Sequence, residues 1–441
     1  MQELTPARRG LVSVRKSRIA ALLVACAIAV GIAIPAYSKG LVLLGELVLL
    51  GMFFALVPTI TRSRFLTTTW AVCLLWFLVQ IISDWVHGTR IFSGVTLTGP
   101  TTALLATGLC WVYTKYRLSA AAILSAVGVG WIGLTVLAGD AIVSSNPWKY
   151  GFSTPVVVTA LAFSQLRGVK RGTTVLLLLV LAGISLQFDS RFETGLLLVC
   201  ALAMLITASS RKISKRGRWS VLVVVALGAA MYLAYPSVAL SGLIGERAYL
   251  QQVLYESQGA NFLLATRLEF PQMIYLVGQN PILGIGSHGH LSATEAYAAL
   301  EWLNNNIAPL SGNAQDYLLN PTEGYPGYNS HSSAMGSALF AGILAIPFWV
   351  FLLVSTFRSL FRFTQGAILV PSVVLYMGGV TIWNSLFSPL TYASHVALAV
   401  MVFLCSVTLD PQAIKLSPLA GAKGETVHAK SCVPADSPHR L

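Results

Sequence analysis

Arg191, Arg267 and His331 are the side chains in this sequence best suited to chemistry. A guanidinium holds an anion through forked, charge-assisted hydrogen bonds. An imidazole titrates near neutral pH and can accept a proton from a hydroxyl. Arg191 lies in Asp189-Ser190-Arg191-Phe192-Glu193, a charged turn joining two apolar blocks with almost no linker. Charges at that depth are costly and tend to face an interior cavity. The plainer alternative is that Arg191 pairs with Asp189 or Glu193. Arg267 belongs to Ala265-Thr266-Arg267-Leu268-Glu269-Phe270-Pro271, where a solvated pair with Glu269 is the alternative. His331, in Tyr328-Asn329-Ser330-His331-Ser332-Ser333-Ala334, stands where a long connection runs back into an apolar block; its plainer alternative is a satisfied polar residue. His288 and His290 could share a metal, but no third ligand follows closely, so no metal site is expected. No Asp-x-Asp pair, Gly-rich phosphate loop or Gly-x-Ser-x-Gly elbow occurs, which disfavours metal-assisted sugar-nucleotide chemistry and serine hydrolysis.

The elements that must position these residues are apolar. Hydrophobic residues make up 55% of the chain and charged ones 10%, against about 25% charged in a soluble domain. The apolar residues fall into twelve blocks, at about 19–37, 40–60, 66–83, 99–114, 118–138, 152–166, 173–188, 194–208, 219–240, 333–355, 366–383 and 391–409. Most approach the roughly 20 residues that carry a helix across a hydrocarbon core. None alternates as a barrel strand would, so the expected fold is an all-α integral membrane protein of about 12 transmembrane helices. The first block runs on into the second without an obvious cleavage site and reads as a retained helix.

Charge orients the bundle. With the N-terminal segment 1–18 in the cytoplasm, all but six of the 29 Lys and Arg fall on the cytoplasmic side; the six are Lys39, Arg90, Lys149, Arg191, Arg247 and Arg267. The net charge of +13 is thereby accounted for by orientation and contact with anionic membrane lipids, without a nucleic-acid partner. Five cysteines fall in apolar blocks and Cys432 in the tail, so no extracytoplasmic disulfide is expected. Helices one to nine occupy 19–240, and helices ten to twelve 333–409. Between helices nine and ten comes one large extracytoplasmic loop, 241–332, in which apolar residues at helical spacing predict short helices, with Gly284 and Gly286 in a tight turn. The tail 410–441 has no hydrophobic period and is expected to be disordered and cytoplasmic.

Three pieces of the sequence resemble the O-antigen ligase and polymerase superfamily of bacterial membrane glycosyltransferases. They are the Ser190-Arg191 turn before an apolar helix, Arg267 followed by Gln279-Asn280-Pro281-Ile282-Leu283-Gly284-Ile285-Gly286, and His331 running on to Ala341-Gly342-Ile343-Leu344. The likeness covers roughly 150–405. It departs from the family at Ser332, where Asn is common, and at Pro271. It implies an inner-membrane enzyme acting at the periplasmic face. The donor would be a glycan on undecaprenyl diphosphate, and the acceptor a hydroxyl of a lipid A–core sugar or of another lipid-linked glycan. Transfer would invert the anomeric centre without metal or other cofactor. On that expectation Arg191 and Arg267 hold the diphosphate and His331 is the base. One dominant outer loop late in the chain looks more like a ligase than a repeat-unit or exopolysaccharide polymerase. A transporter or flippase, the other class open to such a chain, would call for ionisable groups in mid-helix; Glu46 is the one clear case, with Gln80 beside it.

Overall fold

In a computed structural model, which describes residues 6–37, 41–89, 93–139, 142–208, 233–234, 236–242, 245–257, 269–287, 293–306, 332–364, 370–391 and 393–410, the chain is built almost wholly of helix. In order these are α1 (Pro6–Ala33), α2 (Leu44–Gly51), α3 (Phe53–Arg62), α4 (Arg64–Val86), α5 (Gly94–Lys115) and α6 (Ala120–Ala138). Then come a π-helical turn (Trp148–Phe152), α7 (Ser153–Leu166), α8 (Arg171–Gln187) and α9 (Arg191–Ala208). Three shorter helices follow: α10 (Glu246–Ser257), α11 (Glu269–Gln279) and α12 (Ala293–Asn306). The chain closes with α13 (Ser333–Ala341), a 3-10 turn (Ile343–Ala345), α14 (Ile346–Thr364), α15 (Pro371–Phe387) and α16 (Ser394–Leu409). The sheet described is one small antiparallel pair, β1 (Pro35–Tyr37) and β2 (Val42–Leu43), between α1 and α2.

Local sequence starts and stops these helices. Ser63, Ser93 and Ser119 each accept a hydrogen bond from a first-turn amide, at the starts of α4, α5 and α6. Pro371 opens α15, where its missing N–H costs nothing. Inside each helix the Leu, Ala and Val runs propagate and the backbone groups pair within the helix, except at the ends and where Pro58 in α3 and Pro100 in α5 each remove a donor.

Four helices are long and apolar enough to cross a membrane: α4, α5, α6 and the stretch Ile343–Phe363. The pair α2–α3 makes a fifth if counted as one span, and Ile19–Ala33, α8 and α16 are apolar but shorter. The described chain is therefore an all-helical protein with several helices that could span a membrane. All twelve apolar blocks carry helix where they are described, and the block at 219–240 lies for most of its length outside the described residues. Two blocks are not the straight helices expected: the one at 40–60 bends by 82° between α2 and α3, and the one at 333–355 breaks at Gly342.

The centre of the bundle is α5 against α16. In α16 the side chains from His395 to Thr408 are all buried, and in α5 those from Thr101 to Cys110. Helices apolar on every side belong in such a position. Outer helices instead show apolar groups outward; Phe54 is 89% exposed and Leu22 and Leu23 65% each. Water-soluble monomers rarely expose apolar surface so continuously.

One dimension organises the rest. From Arg64 to Asp84, α4 rises about 30 Å at 1.5 Å per residue, close to the hydrocarbon thickness of a bilayer. At its first end Arg62, Arg64, Arg358 and Arg362 gather around one cavity, and Ser63 Oγ donates to Asp410 Oδ2 at 2.9 Å. Its other end carries the polar groups described next.

Candidate functional site

Asp84 sits in the last turn of α4, fully buried. An acid there opposes the helix dipole, so other groups must hold it. Oδ1 accepts from Gln80 Nε2 and Thr89 Oγ1, each at 3.0 Å, and from the backbone amide of Ser287. Oδ2 accepts from Thr96 Oγ1 at 2.9 Å and Ser287 Oγ at 3.0 Å. A carboxylate offers about four lone-pair sites, so five donors saturate it. Asp84 is an anchor, with no capacity left to bind a substrate.

What it anchors is the segment after α11. Gly284 and Gly286 both have positive φ, as a tight turn demands. The turn lies along the end of α13: Ile285 N donates to Leu339 O at 2.8 Å, Gly286 N to Phe340 O at 3.0 Å, and Ile343 N to Pro281 O at 2.8 Å. The Leu339 and Phe340 carbonyls lack their own helical partners because α13 stops at Ala341. Ser83 Oγ adds a bond of 2.7 Å to Phe340 O. At Gly342, φ is +77° and ψ −177°, a region essentially reserved for glycine, and a Cβ there would collide with the Ile282 carbonyl. The break in the block at 333–355 thus has a plain cause. Pro281–Gly286 and Ala341–Leu344, quoted separately from the sequence, lie against each other.

A second seam runs along the far end of α15. Ser332 caps α13, and its Oγ donates to Ser385 O at 2.9 Å; Ser333 Oγ donates to Ser388 O at 2.8 Å. Phe192 stacks on Trp383 with ring centroids 4.2 Å apart. In the first turn of α9, buried Glu193 accepts a hydrogen bond from Tyr376. The chain neighbours of Arg191 and His331 therefore dock within a few residues of each other on α15.

Arg191 opens α9, just past the turn that follows α8, where Asp189 has a φ of +49°, unusual for a residue other than glycine. Its Nε donates to Asp189 Oδ1 at 3.0 Å, and its side chain is 26% exposed. Of the two pairings open to it, the one with Asp189 is formed, while Glu193 turns inward to Tyr376. Arg267, His331, His288 and His290 lie outside the described residues. Among the described residues no cluster of three His, Cys, Asp or Glu side chains could hold a metal.

Glu46 is likewise held. Its Oε2 accepts from Leu43 N at 2.9 Å, and Oε1 lies 3.0 Å from His395 Nε2, near enough to pair though off the line of a good hydrogen bond. Both side chains are almost fully buried. His395 is in the first turn of α16, beyond the loop that follows Ser388, so the pair belongs to the same end of the bundle as Asp84.

Sequence reasoning singled out neither Asp84, Ser287, Tyr376 nor His395. Asp84 did carry a signal: an acid in the last turn of an apolar helix, four residues from Gln80, breaks a local rule and so asks for a compensating contact. No protein-family model and no curated protein matches the chain.

Proposed function

We propose that the chain is a membrane-embedded, inverting and metal-independent glycosyltransferase of the O-antigen ligase type. In this reading twelve spans place the Asp84 end at the periplasmic face of the inner membrane, with both termini in the cytoplasm. Undecaprenyl diphosphate carries the glycan donor, and a hydroxyl of a lipid A–core sugar is the acceptor. The observation that carries the reading is the seam between Pro281–Gly286 and Leu339–Ile343. Two separate sequence pieces, each chosen for its likeness to the family, are hydrogen-bonded together at the end of the bundle where Ser332 and Phe192 also dock.

The acceptor oxygen forms a bond to the anomeric carbon as the bond from that carbon to the diphosphate oxygen breaks. The electron pair leaves with the undecaprenyl diphosphate, and the hydroxyl proton passes to His331. Arg191 and Arg267 neutralise the departing charge through paired N–H donors. A diphosphate so held needs no protonation to leave.

Polarity distribution favours surface chemistry over transport. The break at Gly342 lies beside Ser83, at an end of α4 rather than halfway along it. The other bend, at Met52, has no ionisable residue between Leu47 and Thr61. The test is transfer from a polyprenyl-diphosphate glycan in membranes: His331→Ala is expected to lose about 10²-fold or more of the rate, the usual scale of general-base catalysis. Wild-type turnover at equal expression would remove His331 from the mechanism. Surface glycans of a deletion strain separate ligase from polymerase: long unattached chains mark the first, single repeats the second.

A further inference from the structure

A feature left unused by that chemistry is at the opposite end. A cavity of about 1340 Å³ opens between α4, α9, α14 and α15. This exceeds the roughly 300–1,000 Å³ of ordinary small-molecule pockets. Among the described residues its mouth carries Arg62, Arg64, Arg358 and Arg362 against a single acid, Asp410. Asp410 is already engaged by Ser63, and Arg362 by the Thr408 carbonyl. Arg62, Arg64 and Arg358 are exposed and make no ion pair among the described residues. Beyond the mouth the wall is apolar, formed by Leu196, Val199 and Ile206 of α9, Val354 of α14, and Leu375 and Ile382 of α15. Along α9 alone, Leu196 to Ile206 spans about 15 Å.

A cationic rim over an apolar shaft of that depth matches one kind of molecule, an anion with a hydrocarbon chain. We propose that this cavity is a binding site for an acidic phospholipid of the leaflet on the arginine side. The phosphate would sit among the four arginines and one acyl chain would run along α9. The site is about 30 Å along α4 from Asp84 and does not rest on the proposed transferase activity.

The test uses the full-length protein in detergent, titrated with palmitoyl-oleoyl phosphatidylglycerol or phosphatidylcholine and followed by native mass spectrometry. Phosphatidylglycerol is expected to bind about ten-fold tighter, given the attraction each basic group adds at a lipid surface. The double variant Arg62→Gln, Arg358→Gln alters two exposed side chains and is expected to bring it down to the phosphatidylcholine level. Dihexanoyl phosphatidylglycerol keeps the headgroup and loses most of the chain; it is expected to bind at least about ten-fold more weakly, since each methylene no longer buried gives up part of the hydrophobic attraction. Equal binding of the two long-chain lipids, or no effect of the double variant, overturns the arginine rim. Equal binding of long and short phosphatidylglycerol, or displacement by inorganic phosphate alone, overturns the shaft.

Discussion

At the scale of single residues, the two arginines and Asp84 do different work and call for different substitutions. Arg191 is partly exposed and paired through one edge to Asp189. If it acts as a fork on diphosphate, Arg191→Lys keeps the charge and loses the geometry. Lys variants of Arg191 and Arg267 are expected each to lower transfer by about ten-fold or more, the worth of one charge-assisted hydrogen bond, with folding unchanged. Wild-type rates in both would show that charge alone suffices. Asp84 has no spare acceptor, so its effect should appear in stability first. Asp84→Ala leaves the buried Ser287 amide without its acceptor, at about 1–3 kcal/mol, and takes one bond each from Gln80, Thr96 and Ser287 Oγ, which keep their bonds to one another, to Ser93 and to Phe340. The expected result is a thermal midpoint lowered by several degrees, together with faster amide exchange in Pro281–Ser287 than elsewhere. Unchanged exchange in that segment would mean that the hydrogen bonds to Leu339 and Phe340 hold it unaided.

At the scale of elements, the decisive one is the break between α13 and α14. Gly342→Ala adds a methyl to a conformation only glycine adopts readily and drives it into the Ile282 carbonyl. About 2 kcal/mol or more of destabilisation is expected from the backbone conformation and the clash together. It would be seen as loss of monodisperse protein in detergent, whereas Gly172→Ala, which meets nothing nearby, should behave as wild type. The same element marks the limit of what was legible in sequence. Hydropathy found the helices, including the shorter α10, α11 and α12, because burial and spacing leave a local imprint. It read 333–355 as one span because Ala341-Gly342-Ile343 is uniformly apolar, and hydropathy carries no record of φ. Asp84 stayed hidden for a related reason: Ser287 lies 203 residues away in sequence, and no local pattern links them. Arg191 was legible as a charge trapped between spans, but its choice of Asp189 over Glu193 depended on Tyr376, a residue on another helix.

For the molecule as a whole, the described ends constrain the number of crossings. Phe192 docks at the far end of α15 on Trp383, and α9 then runs down to Ile206 on the wall of the arginine-rimmed cavity. By Ser287 the chain is back beside Asp84, at the opposite end of α4. In the proposed twelve-span reading the return crossing belongs to the apolar block at 219–240, which has the length for it. Cysteine labelling in intact cells tests this, in a background with Cys26 and Cys432 replaced by Ser; the other four native cysteines are buried. Val143→Cys, between α6 and α7, and Thr391→Cys, between α15 and α16, are both expected to react with an impermeant maleimide. Val169→Cys, between α7 and α8, should react only after permeabilisation. Reaction at Val143 with protection at Thr391 would make the number of crossings between them odd. The block at 219–240 would then not cross, and the twelve-span topology that sets the Asp84 end outside would fall with it.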